Sequence, residues 1–202
     1  MAGIDPERTA ILTIDLQNDY LHPDGAYRRA GYAIDAFTAL PERIRPVIDA
    51  LRQKGGTHIS VQFTLVPRPD GEPLISPFLR NLRPFLARGD FAPGSFGHAL
   101  VDALPPADYT IERVTYSAFY QTRLEYLLNA LGISHLILAG LVTNGAVATT
   151  LRDAHLRNFE TALLSDGSAA FLQAVHEATL TSLSGVTYQM TCAEAIGMLE
   201  AA

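Results

Sequence analysis

Three positions in this chain set a reactive or charged group at the end of an apolar run. Asp15 closes the run Thr9–Asp15 (TAILTID). Arg113 closes Tyr109–Arg113 (YTIER). The turn Gly140–Ala146 (GLVTNGA) follows His135–Gly140 (HLILAG) and opens a helical stretch. A carboxylate in such a place can move a proton. A guanidinium holds a carboxylate through a planar fork and stays charged. The first N–H groups of a helix have no internal partner, so the turn offers an anion or oxyanion site. Gly145 allows close backbone approach there, and Thr143 or Asn144 can cap the helix. Structural readings stand beside each of these: an Asx turn or helix cap at Asp15, a surface pair of Arg113 with Glu112, an ordinary capped loop at 140–146. The three positions converge only if their strands are neighbours.

The remaining reactive residues are less suggestive. Ser117 and Thr143 carry hydroxyls but have no evident base other than Asp15, so neither is promoted to nucleophile. The single cysteine, Cys192, lies in the last strand–helix connection, where a structural role is expected. None of the six histidines (22, 58, 98, 135, 155, 176) stands in a metal-ligand pattern, so neither a metal nor a cofactor is expected. His58 and His135 start strands and read as structural.

The elements that would position these groups alternate along the chain. Strands are read at 9–15, 57–63, 109–113, 135–140, 160–165 and 186–191. Helices are read at 39–54, 95–104, 122–131, 144–158, 172–184 and 193–199. Leu40, Ile44, Val47, Ile48 and Leu51 carry the helical period of the first helix, and Gly55–Gly56 end it. Continuous apolar strands separated by helices imply an α/β fold with a parallel sheet covered on both faces and right-handed crossovers. Ligands of such sheets sit beyond the carboxyl ends of the strands, where strand order reverses. Residues 64–94 hold six prolines, at 67, 69, 73, 77, 84 and 93. That segment is expected to be a functional loop or lid setting substrate size.

Length and composition bound the rest. The 202 residues fit one domain, 1–202, with 48% hydrophobic and 18% charged residues. A net charge of −6 and the lack of a Lys/Arg cluster argue against nucleic acid as a partner. Met1–Arg8 is polar and lacks the apolar core of a signal peptide, and no run is long enough to span a bilayer. With a lone cysteine, these features lead to a cytoplasmic expectation.

The segments TAILTIDLQNDY (9–20), RVTYSAFYQTRLEYLL (113–128), GLVTNGAVATTLRDA (140–154) and SDGSAAF (165–171), in that order, resemble the isochorismatase-like hydrolases, also called the cysteine hydrolase superfamily. The resemblance implies a three-layer α/β/α fold with a six-stranded, mostly parallel sheet. In the amidase branch it also implies an Asp–Lys–Cys triad and an oxyanion hole beside a non-proline cis peptide. Carried onto this chain, Asp15 takes the Asp position, Arg113 the Lys position and Ala146 the Cys position. The oxyanion hole falls at Leu141, Val142 and Ala146, with the cis bond at Leu141–Val142. Tyr20, Phe63, Tyr116 and Thr143 are the expected pocket residues, while Phe119 fits core packing better. Metal-binding members carry an Asp-x-His-x-His cluster where this chain reads QFTLVPRP (62–69).

Alanine cannot be a nucleophile, so thioester chemistry at residue 146 is excluded. Three readings remain: a working amidase carrying a Cys-to-Ala change, a Cys-free hydrolase, or a binding relative that has lost its chemistry. The first two act on a small amide, carbamoyl or enol-ether substrate. The resemblance also implies a homo-oligomer. A close Arg113–Asp15 pair is expected to favour ionised Asp15.

Overall fold

The structure is a computed structural model and describes residues 4–202; the polar Met1–Gly3 part of the amino-terminal reading lies outside the described residues. Six strands form one parallel sheet: β1 (Thr9–Ile14), β2 (Thr57–Phe63), β3 (Tyr109–Arg113), β4 (His135–Leu141), β5 (Glu160–Ala169) and β6 (Tyr188–Met190). Their spatial order is β3-β2-β1-β4-β5-β6. The chain therefore winds outward from β1 in one direction and from β4 in the other. The reversal lies between β1 and β4, the two strands whose ends carry Asp15 and the 140–146 turn.

Alternate residues of β1 enter opposite cores. Ile11 packs in one apolar cluster, while Ala10, Leu12 and Ile14 pack in the other. Both faces are covered, which is why the strand reads as an unbroken apolar run. The helices are α1 (Asn18–Leu21), α2 (Ala26–Arg29), α3 (Asp35–Thr38), α4 (Leu40–Gln53), α5 (Pro77–Leu82), α6 (Leu124–Ala130), α7 (Ala148–Leu156), α8 (Gln173–Leu183) and α9 (Cys192–Glu200). On one face α4 packs with α9, through Ile44, Ile48, Ala195 and Leu199 among others. Leu128 of α6, Leu151 of α7 and Leu183 of α8 belong to the cluster on the other face. The arrangement is the three-layer α/β/α fold expected.

Several element boundaries differ from the sequence reading. No helix forms over 95–104. That stretch is a run of turns, and its backbone is drawn against the α1 region: Asn18 and Asp19 donate their amides to the carbonyls of Ala99 (3.0 Å) and Gly97 (2.8 Å). The helix expected from Asn144 begins instead as a π-helical turn, Thr143–Val147, and becomes α-helical only at Ala148. Gly145 breaks the regular turn, with φ −105° and ψ −106°. No side-chain cap forms at Thr143 or Asn144. The proline-rich 64–94 segment holds α5, started by Ser76 accepting from the Leu79 amide at 3.1 Å. The helices α1–α3 were not foreseen, because four residues each are too few to show a period.

Candidate active site

The site forms where β1, β3 and β4 end. Gly140 brings β4 onto β1. It has φ +120°, and a side chain there would place Cβ 2.0 Å from the Ile14 carbonyl oxygen. Asp15, one residue past β1, takes a left-handed backbone with φ 58°, uncommon for a residue with a side chain. Its amide donates to the Val61 carbonyl at 2.9 Å, which leaves the side chain at the strand ends. Both Asp15 and Arg113 are buried, at 2% and 3% exposure. The surface pair of Arg113 with Glu112 is thereby excluded.

Arg113 donates from Nη2 to Asp15 Oδ2 and from Nη1 to the Thr115 carbonyl. Its guanidinium lies 5.4 Å from the centre of the Phe63 ring. Asp15 Oδ1 has no hydrogen-bond partner. Burial pushes the Asp15 carboxyl up to about 6, against the downward pull of Arg113 and weaker ones from the Phe63 backbone amide and Arg83. The ion pair does favour the charged form, as expected, but desolvation outweighs it. Near neutral pH such a carboxyl lies within easy reach of either protonation state.

A cavity of about 270 Å³ opens over this pair. Asp15, Arg113, Tyr20, Phe63, Tyr116, Val142 and Ala146 all line it. The three strand ends therefore do share one cavity. Sequence reasoning missed Tyr27, Arg83 and Phe171, which also line it. Tyr27 stacks on Tyr20 (4.7 Å between ring centres) and on Phe171 (5.5 Å). Its hydroxyl accepts from Arg83 Nε at 2.6 Å. Arg83 ends α5, in a segment with several other arginines and no sequence signal to single it out.

Gln17 was missed too, and it fixes the Phe63 wall. Its side chain donates to the Phe63 carbonyl (3.0 Å) and accepts from the Phe63 amide (2.8 Å). Buried Asp19 accepts from the amides of Ala26 (3.0 Å) and Phe91 (2.6 Å), which ties down the start of the helix carrying Tyr27.

Three expectations need correction. The described residues contain no cis peptide bond, so Leu141–Val142 is trans. Gly140 and Gly145 supply the unusual torsions by which the backbone turns. Leu141 does not face the cavity; as the last residue of β4 its side chain is wholly buried in the apolar core. Thr143 points elsewhere as well, sharing a 2.8 Å hydrogen bond with His176 Nδ1. Within the turn the Gly145 amide donates to the Val142 carbonyl at 2.9 Å.

The other reactive groups lie away from the cavity. Ser117 donates to Asp153 rather than to Asp15. Phe119 packs on Phe159 and beneath Arg157, away from the cavity, as core packing would have it. Cys192 is the first residue of α9, and burial, reinforced by Asp166, pushes its thiol up to about 12. Among the described residues no group of three or more His, Cys, Asp or Glu side chains could hold a metal ion. None of the described helices is long and apolar enough to cross a membrane.

This is a parallel α/β protein with a buried carboxylate–guanidinium pair in a cavity at the reversal of strand order. The chain belongs to the isochorismatase family: the family model for the isochorismatase domain matches residues 9–195. It is a hydrolase of that family. It is 32% identical over 177 residues to the ureidoacrylate amidohydrolase RutB of Caulobacter vibrioides, across 82% of this chain and 78% of that one. A cysteine hydrolase from Pseudomonas syringae pv. phaseolicola superimposes with a TM-score of 0.84 at 25% identity, across 100% of this chain and 99% of that one. The fold is also that of an N-carbamoylsarcosine amidase from Thermoplasma acidophilum, with a TM-score of 0.71 at 24% identity, across 92% and 96% of the two chains.

Proposed function

We propose that the chain hydrolyses a C–N bond of a small amide or carbamoyl compound by direct attack of water, without a covalent enzyme intermediate. One observation carries this reading. The cavity that Asp15 and Arg113 line is also lined by Ala146, which offers no nucleophile, while the buried Asp15 Oδ1 has no hydrogen-bond partner in the protein. Asp15 takes a proton from water as the water oxygen bonds to the carbonyl carbon. The same carboxyl then gives the proton to the departing nitrogen as the C–N bond breaks. Arg113 positions Asp15 and offsets its charge. Names among the relatives, a ureidoacrylate amidohydrolase and an N-carbamoylsarcosine amidase, support the substrate class. The wall of Tyr20, Phe63 and Tyr116 suits a small planar body. Action within the cytoplasm and assembly into a homo-oligomer belong to the same proposal.

A second reading is favoured by the raised Asp15 carboxyl. A protonated Asp15 could give its proton to the carbon of an enol ether, again without a covalent step. The pH profile separates the two on a panel of small amides, ureides and enol ethers. Base action by Asp15 makes kcat/KM rise with pH through about 6. Acid action makes it fall over the same range. Intact-mass analysis of rapidly quenched reactions should show no added mass on the chain. A covalent adduct during turnover would overturn both readings, and silence on the whole panel would favour a binding relative that has lost its chemistry.

A further inference from the structure

We propose that Arg83 is the anion-binding residue of this cavity, and that the substrate carries a carboxylate which Arg83 holds. This deepens the hydrolytic reading and rests on it for the identity of the cavity. Among the residues lining the cavity, the formally charged ones are Asp15, Arg83 and Arg113, which sum to +1 in a chain whose net charge is −6. Arg113 is neutralised by Asp15. No carboxylate lies within salt-bridge distance of Arg83 among the described residues, although most other arginines at comparable burial have one: Arg52 pairs with Asp108, and Arg157 with Glu125 and Asp153.

The guanidinium is also pre-set. Its Nε is spent on the Tyr27 hydroxyl, and the Tyr27 ring is held between Tyr20 and Phe171. A half-buried cation held by an aromatic stack has lost part of its hydration and little rotamer freedom is left to lose on binding. One bound carboxylate brings the cavity to neutrality and uses the planar fork. A phosphate dianion would overshoot it. The substrate is then bipolar in layout: its carboxylate lies toward α5 on Arg83, and its scissile group toward Asp15.

The test is equilibrium binding of benzoate, benzamide and phenyl phosphate to the whole chain and to its Arg83→Gln and Arg83→Lys variants, by calorimetry. Benzoate should bind roughly ten- to a hundredfold more tightly than benzamide, the span set by one charge-assisted hydrogen-bonded contact. Arg83→Gln should bring that ratio to about one, and Arg83→Lys should keep several-fold of the preference. Equal binding of benzoate and benzamide by the unaltered chain, or a preference that survives Arg83→Gln, would overturn the inference. So would loss of all binding in both variants, which would make Arg83 a wall residue only. Phenyl phosphate outbinding benzoate would overturn the choice of carboxylate. No turnover is needed, so Arg83-dependent binding in a chain that hydrolyses nothing would defeat the hydrolytic proposal and leave this one standing.

Discussion

Replacing Arg113 with Met tests the electrostatics of the site, because Met keeps most of the side-chain volume and removes the charge. Arg113 holds one of the two Asp15 oxygens, so the loss is a single charge-assisted hydrogen bond in a buried place. Such a bond contributes about 1.5–3 kcal/mol. One pH unit corresponds to about 1.4 kcal/mol, so the Asp15 carboxyl should climb by about one to two pH units. Starting from about 6, it should reach about 7–8, with burial then opposed only by weaker partners. The assay is carbon-13 NMR of selectively labelled aspartate in both proteins, with the Asp15 signal assigned by its absence from Asp15→Asn. The titration midpoint should move to higher pH by at least one unit, and Asp15 should be largely protonated at neutral pH. A midpoint that stays in place or moves down would refute the balance of burial against ion pairing on which the site depends.

Other outcomes follow from single residues. Gly140→Ala should destabilise the chain by at least about 2 kcal/mol in urea unfolding, because its φ is +120° and the new Cβ would meet the Ile14 carbonyl; a change under 0.5 kcal/mol would contradict that packing. Ala146→Cys should be alkylated by iodoacetamide much faster than Cys192, since residue 146 lines the cavity while the Cys192 thiol is buried and pushed up to about 12; equal labelling by peptide mass mapping would contradict it. The pH dependence of stability should show two opposed slopes. Asp15 sits at about 6 against an ordinary 3.8, so its contribution is full below about 4 and is lost as pH rises through 6. His58 is pushed down to about 4 from 6.5 by burial and Arg52, so its contribution is full above 6.5 and is lost as pH falls through 4. Asp15→Asn removes only the first slope, so its stability should climb more steeply from pH 4 to 6 than that of the unaltered chain; parallel curves would contradict the assignment.

The framework of the site was legible because it is carried by strands. Thr9–Ile14 and His135–Leu141 are buried on both faces, so they show as apolar runs whose ends point to Asp15 and the turn before Ala146. Arg113 was legible by the same rule. The far wall was not. Tyr27 and Arg83 lie on or beside short helices in irregular chain, and they reach the cavity through contacts between residues 56 positions apart. No local period encodes such a contact. Thr143 was misplaced for a related reason. Its position in the turn was right, but the π-helical turn sends its hydroxyl to His176. The charge state of Asp15 needed burial as well as partner. A sequence reveals the guanidinium but not the desolvation that outweighs it.

The most direct test of the central claim compares turnover by the unaltered chain and Asp15→Asn on the amide, ureide and enol-ether panel, under conditions where both are folded by circular dichroism. General acid–base action by one carboxyl is worth roughly 10²–10⁴ in rate. The account predicts that whichever substrate the unaltered chain hydrolyses, Asp15→Asn loses at least a hundredfold in kcat while still binding benzoate. Hydrolysis by Asp15→Asn at the unaltered rate would contradict it.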